Sequence, residues 1–236
     1  MNIQKIILAA AVCAASFSAL AGTMGPVEAP KSWSIIGGLG YTWYQDAYSG
    51  GPGADPVAQN AIGDGQTPIG RFAIGKEWYQ WDCMYLNTVH LGSELGVQSG
   101  NIMRLGASQE TYDLLGGLPV QMNVKPMLDL LATFTFDPMA NKPVFNIPAF
   151  GVVKAGIAYR RMQINDRVTV NDISQIAFET QAGIGMSISD RATLAVVYQG
   201  IFGSSTDYTV NTTNFTGHIN NIPLQNGLLL NLSYTV

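Results

Sequence analysis

Residues 176–188 read IAFETQAGIGMSI, and this stretch decides the fold because large apolar side chains recur at every second position over most of its length. The positions between them carry alanine, glutamate, glutamine, glycine and serine. A period of two residues is typical of a β-strand whose two faces meet different surroundings. The stretch therefore predicts a strand with one large apolar face and one small or polar face.

The same alternation occurs eight times along the chain. It predicts strands over residues 33–43, 71–79, 88–97, 122–136, 152–160, 176–188, 193–202 and 227–236. Long connections over 45–66, 98–117 and 203–221 alternate with shorter ones, and both chain ends fall on the side of the short connections. Because lipid cannot hydrogen-bond an open sheet edge, strands that cross a membrane have to close into a ring. The pattern predicts an all-β fold, a closed eight-stranded antiparallel transmembrane β-barrel with short periplasmic turns and long extracellular loops.

The composition favours an apolar outer surface. Only 12% of the 236 residues are charged and 47% are hydrophobic, whereas an ordinary soluble domain carries about 25% charged residues. A soluble β-sandwich or lipocalin-like barrel is the alternative, since it also alternates. Such a fold would bury the large apolar face, but here the opposite face is small enough to fill a narrow lumen. Aromatic residues also gather near the predicted strand ends, as in the interfacial girdles of membrane barrels.

The chain begins with a predicted secretory signal over residues 1–21. Lys5 provides a positive start, residues 6–15 are apolar, and residues 19–21 supply small side chains for cleavage. A membrane anchor is the alternative, but the apolar stretch is short for a spanning helix. We expect residues 22–30 to be a lead-in and residues 31–236 to form the barrel of an exported protein.

The predicted inner face carries four basic and four acidic residues. Because an unpaired charge is costly to bury, we expect an ion-pair network in the lumen. Its members are Arg71, Glu77, Glu94, Lys125, Asp129, Lys154, Arg160 and Glu179. A symmetric turn between Asp82 and Cys83 would place Arg71 opposite Glu94, and a turn over 137–146 would place Asp129 opposite Lys154. Eight strands leave room only for packed side chains, which favours a closed plug over the alternative, a polar gate or narrow ion path.

Several functional classes are disfavoured. A pI near 5.0 without a Lys/Arg cluster excludes nucleic acid as a partner. The two histidines are far apart, so neither a metal site nor a cofactor is expected. His90 and Glu94 share the lumen face while Ser93 points the other way, so no catalytic triad forms and we expect no enzyme.

Three stretches carry a family resemblance: residues 90–96 (HLGSELG), residues 128–133 (LDLLAT) and residues 153–160 (VKAGIAYR). They resemble the eight-stranded outer-membrane β-barrel proteins of Gram-negative bacteria, the group of OmpA transmembrane domains, OmpX-like and opacity-type proteins. The last strand also looks like that family's assembly signal, which implies contact with the barrel-insertion machinery. The residues that match it are Leu228, Leu230, Leu232 and Tyr234, while Val236 stands where the family has phenylalanine.

The resemblance and the barrel together imply a structural or surface-interaction role through the extracellular loops. The implied partners are outer-membrane lipid and lipopolysaccharide, and host or envelope proteins at the loops. Two alternatives stay open: a narrow channel for ions or small hydrophobic solutes, and a lipid A-modifying outer-membrane enzyme.

Overall fold

A computed structural model describes residues 32–45, 67–83, 87–105, 120–136, 149–164, 173–203, 206–210, 215–219 and 224–236. These residues form the strands β1 Trp33–Gln45, β2 Thr67–Cys83, β3 Asn87–Gln98, β4 Asn101–Leu105, β5 Val120–Val124, β6 Met127–Phe136, β7 Ala149–Ile164, β8 Ile173–Ser187, β9 Ala192–Phe202, β10 Thr206–Val210, β11 Phe215–Ile219 and β12 Leu224–Thr235. The predicted signal and lead-in, residues 1–30, lie outside this description, as does the side chain of Cys83. In the described part of the chain, no helix is long and apolar enough to cross a membrane.

Eight of these strands close into one antiparallel barrel. Their order around the ring is β1, β2, β3, β6, β7, β8, β9 and β12, and pairing between β12 and β1 completes it. The closing register runs from Ser34 opposite Thr235 to Gln45 opposite Leu224. The closed eight-stranded barrel predicted from the alternation is therefore confirmed.

The two ends of the barrel differ in their connections. The lower end contains Trp33 and Thr235, together with the connections 84–86, 137–148 and 188–191. The upper end contains Gln45 and Leu224, and is joined through residues 46–66, 99–126, 165–172 and 203–223. The start of β1 and the end of β12 thus lie at the end of the barrel that has the two shortest connections, 84–86 and 188–191, as the sequence predicts. The third lower connection, 137–148, is longer than the upper connection 165–172.

Two of the upper connections contain hairpins that the sequence treated as loop. β4 pairs with β5, and β5 pairs in turn with the upper part of β7, while β10 and β11 form a separate two-stranded sheet. The single strand predicted over 122–136 is wrong, because β5 ends at Val124 and β6 begins at Met127. Pro126 has no N–H to donate to a ladder, which explains the break. Val124, the last residue of β5, is buried.

Side chains alternate around the ring between an exposed outer face and a buried inner face. In β6, Met127, Asp129 and Leu131 are buried while Leu128 and Leu130 are half-exposed. A bulge between Glu77 and Tyr79 interrupts β2 and adds one residue to that strand. Tyr79, which without the bulge would share the inner face with Arg71 and Glu77, is therefore 53% exposed.

The two predicted registers are wrong. Arg71 lies opposite Gln98 rather than Glu94, and Asp129 lies opposite Ala158 rather than Lys154. Both predictions placed the turn too early in the sequence. β2 continues to Cys83 before its connection, and the connection between β6 and β7 spans residues 137–148.

Candidate functional site in the barrel lumen

Four charged side chains meet in the middle of the lumen despite the shifted registers. Arg71 Nη1 contacts Glu94 Oε1, and Lys154 Nζ donates to Glu94 Oε2 at 2.6 Å. Arg71 Nη2 contacts Asp129 Oδ1, and Arg71 Nε donates to Asp129 Oδ2 at 3.1 Å. We call these four residues the central cluster; two positive and two negative charges balance within it. All four residues are at most 7% exposed.

A glycine makes this cluster possible. Strand β3 separates β2 from β6, and Gly96 on β3 lies directly opposite Asp129. A Cβ atom at Gly96 would lie 2.6 Å from both Arg71 Nη2 and Asp129 Oδ1. Contacts that short do not occur for real side chains, so a side chain at this position would force Arg71 or Asp129 to shift.

Amide side chains fill the lumen above the central cluster. Gln199 Nε2 donates to Gln98 Oε1 at 2.9 Å and to Glu179 Oε1 at 2.6 Å. Gln181 Nε2 donates to the same Glu179 oxygen at 2.7 Å. Buried amides that bond one another resist rearrangement, because an unpaired partner would carry the full cost of desolvation.

A second polar layer lies nearer the upper end. The hydroxyl of Tyr44 is 2.7 Å from Asn101 Oδ1 and 3.0 Å from Gln225 Oε1, so its single hydrogen is shared between them. Arg160 Nη2 donates to Gln175 Oε1 at 2.6 Å. Together the two layers form what we call the upper plug, whose members are Tyr44, Gln98, Asn101, Arg160, Gln175, Glu179, Gln181, Gln199 and Gln225.

Several side chains of the upper plug are completely buried. Arg160, Glu179, Gln199 and Gln225 are each 0% exposed. Within the described residues, Arg160 and Glu179 are not bridged by a salt bridge, and Arg160 Nε and Glu179 Oε2 have no hydrogen-bond partner. Arg160 and Glu179 therefore lie in the lumen but outside the central cluster. Hydrogen bonds of the amide side chains hold the plug together.

Two of the eight predicted network residues lie elsewhere. Glu77 is at the lower end, where its Oε1 is 2.6 Å from His90 Nδ1. Lys125 is half-buried in the short link between β5 and β6, where its backbone N–H donates to the carbonyl of Arg161 at 2.8 Å. Lys125 was placed on the lumen face as part of a continuous strand, and the break at Pro126 removes it from that face.

Below the central cluster the lumen is hollow. A cavity of about 320 Å³ opens toward the lower end, and Glu94 and Lys154 line its inner part. Phe150, Val152, Ala195 and Val197 form the apolar part of its lining, and hydroxyl side chains such as Thr133 and Thr135 on the neighbouring strand β6 add polar groups. No group of three or more His, Cys, Asp or Glu side chains in the described ranges is arranged to hold a metal ion.

The residues of the rejected triad point in different directions. Ser93 Oγ accepts a hydrogen bond from Trp78 Nε1 at 2.8 Å, while His90 contacts Glu77. Nucleophilic catalysis needs the hydroxyl within hydrogen-bond reach of the imidazole. The absence of enzymatic activity stays a prediction.

The outer face carries an apolar band between two aromatic belts. Near the lower end, Lys76 Nζ lies 4.4 Å from the centre of the Trp78 ring and 5.0 Å from that of Trp33. Near the upper end, Trp43 packs on Tyr198 at 6.2 Å between ring centres. At about 3.3 Å per residue and a tilt of about 40°, the stretch from Trp33 to Trp43 spans about 25 Å along the barrel axis.

The predicted assembly residues share the outer face of β12. Their exposed fractions lie between 47% and 72%, for Leu228, Leu230, Leu232, Tyr234 and Val236. Their recognition by insertion machinery stays a prediction.

Tyr44 and the amide side chains of the upper plug did not belong to the predicted network, whereas Arg160 and Glu179 did. Gln181 and Gln199 fall on the small, polar face of their strands, and that alternation was the available signal. The predicted network contained charged residues alone, although in a space this narrow a long amide fills the lumen as well as an ion does.

Comparisons with known proteins give distant structural similarities. No family model matches the chain, and no curated protein matches it. A major outer membrane protein from Thermus thermophilus is similar with a TM-score of 0.47 and 13% identity, covering 88% of this chain and 100% of that one. Neisserial surface protein A (TM-score 0.40, 6% identity, 89% and 99% covered) and the Escherichia coli Outer Membrane Protein W (TM-score 0.40, 10% identity, 89% and 99% covered) are also similar. Identities this low transfer no function.

Proposed function

We propose that this chain is a Gram-negative outer-membrane barrel with a closed lumen, and that its role is structural or lies in surface contacts made by its long upper connections. One observation carries the proposal: the barrel exposes large apolar side chains along its outer face and buries charged ones in its lumen. Leu39 and Ile184 are 73% and 74% exposed, whereas Arg160 and Glu179 are 0% exposed. In water this arrangement would leave a wide apolar surface unprotected, while in a bilayer it is the stable one.

The height of the apolar band supports a membrane location. A transmembrane barrel presents an apolar band about 25 Å tall between aromatic girdles, and the separation of the two belts agrees with that height. Lys76 lies on the outer face but only at the lower belt, where its ammonium reaches the interface between two tryptophan rings. We infer that outer-membrane phospholipid and lipopolysaccharide surround the barrel.

The upper plug supports a scaffold rather than a pore. Barrels with an aqueous channel have about 16 strands, and an eight-stranded lumen is filled by side chains. Here the filling reaches complete burial at several positions above the central cluster. The narrow channel is the second candidate, because the lower cavity opens to one end of the barrel. A lipid A-modifying enzyme has no arranged nucleophile within the described residues to support it.

Planar-bilayer recording tests the closed lumen. We expect purified protein to insert without a steady conductance. A steady conductance that changes when Glu94 or Lys154 is replaced by alanine would contradict the proposal and favour the channel.

Membrane fractionation tests the location separately, with recovery in the outer-membrane fraction expected. Mass spectrometry of lipid A from cells with and without the protein tests the enzyme, and an unchanged profile is expected.

A further inference from the structure

We propose that the lower cavity is a binding site for a small organic amine, an ammonium group carried on a short apolar body. The site is independent of the proposed surface role, because it is reached from the opposite end of the barrel. The cavity of about 320 Å³ has room for about ten water molecules at about 30 Å³ each, which is ample for such a ligand.

The mouth of the cavity carries a carboxylate. Deeper in, Lys154 and Arg71 are already matched by Glu94 and Asp129 in the central cluster. Glu77 lies at the mouth, where its Oε1 is 2.6 Å from His90 Nδ1 and its Oε2 accepts from Ser32 Oγ at 3.5 Å. Lys76 also borders the cavity, but its Nζ lies over the tryptophan rings on the outer face of the barrel. A cation entering the cavity therefore meets the Glu77 carboxylate at the mouth.

A buried acceptor lies farther inside. Asn231 lines the cavity and is 5% exposed, and its Oδ1 has no hydrogen-bond partner among the described residues. A buried acceptor without a donor is costly, and an N–H group of a ligand would satisfy it. An ammonium offers three such donors, whereas a carboxylate offers none.

Another part of the cavity lining suits an apolar body. Phe150 and Ala195 pack on the buried cluster of Ile69, Val152, Val197 and Leu229, and Phe150, Val152, Ala195 and Val197 face the cavity. The ring of Phe150 adds a surface that attracts cations as well as alkyl groups. The combination of an acid, a free acceptor and an apolar aromatic wall selects an alkylammonium over an anion or a neutral alcohol.

Nuclear magnetic resonance of the full-length protein in micelles tests the site, with n-butylammonium as the probe. We expect saturable shifts of the amide signals of Gly75 and Gly92, both of which line the cavity. Glu77→Gln should weaken the apparent affinity at least tenfold while keeping the shape of the side chain. Asp190→Asn removes an exposed carboxylate at the same end of the barrel and should leave the affinity unchanged.

A second variant tests whether binding needs the open volume of the lower cavity, rather than the charge of Glu77. Ala195→Leu adds an apolar side chain to the cavity wall and should also abolish the saturable shifts. The proposal is overturned if n-butylammonium causes no saturable shift, if n-butyrate or n-butanol binds equally well, or if Glu77→Gln retains the wild-type affinity. None of these outcomes bears on bilayer conductance or on lipid A.

Discussion

Arg71 and Asp129 form a two-point ion pair across the strand that separates them. Nη2 and Nε of the arginine each contact one carboxylate oxygen, in the parallel geometry that gives arginine–carboxylate pairs their strength. The intervening strand contributes Gly96 at the crossing point. A backbone position thus decides whether the central cluster forms.

Gly96→Ala should destabilise the barrel by about 3 kcal/mol, because a methyl group would separate Arg71 from Asp129 and leave buried charges without partners. Unfolding in urea of protein inserted in lipid vesicles measures the effect. Gly37→Ala is the matched control, since a Cβ at Gly37 meets nothing within 4 Å. Equal stability of the two variants would show that the crossing point does not constrain the cluster.

Glu94→Gln should destabilise the barrel more than Asp129→Asn. Glu94 accepts from both Arg71 and Lys154, so its loss leaves two buried cations with a single carboxylate. After Asp129→Asn, Arg71 still has Glu94. We expect a difference on the order of 2 kcal/mol, from the cost of an uncompensated buried charge. The same vesicle unfolding experiment measures it, and the reverse order would mean that Asp129 is the principal partner.

Truncation of the upper plug should open the lumen. Replacing Gln199 and Gln225 together by alanine removes two fully buried side chains without changing the charge. We expect a steady single-channel current in planar bilayers for this double variant and none for Thr133→Ala, which lines the cavity below. If the Thr133 variant conducts and the double variant does not, the barrier lies in the lower half.

The depth of a tryptophan in the bilayer should depend on whether it lies in an aromatic belt or in the apolar band between the belts. In a variant that retains Trp78 alone, fluorescence should be quenched most by lipids brominated near the headgroup, because this ring lies at the lower belt beside Lys76. A variant with Leu130→Trp and no other tryptophan should be quenched most by lipids brominated deep in the chains, because Leu130 lies on the outer face of β6. Similar quenching profiles for both would contradict a membrane band at this height.

The alternation in the sequence was sufficient to predict the eight barrel strands. Each face of a strand meets a single environment, so a period of two identifies a strand without knowledge of its neighbours. The rule failed where the backbone leaves the regular ladder. The extra residue at the bulge turned Tyr79 outward, and Pro126 divided one predicted strand into β5 and β6.

The site was harder to predict, because its contacts depend on the whole ring. Arg71 and Glu94 do contact each other, but through long side chains from positions that are not opposite in the ladder. A register inferred from one turn cannot include the bulge or the true length of the connection. Lys154 contacts Glu94 rather than Asp129, because side chains in a narrow lumen bridge strands that are not directly paired.

The pairing of β1 with β12 has a consequence for biogenesis. The first and last strands of the ring pair with each other. During synthesis one edge of β1 therefore stays unpaired until almost the entire chain has been made. Until then the growing sheet has two unpaired edges that can pair with other chains. We expect a chaperone or an insertase to keep those edges from pairing with other chains until the final strand arrives.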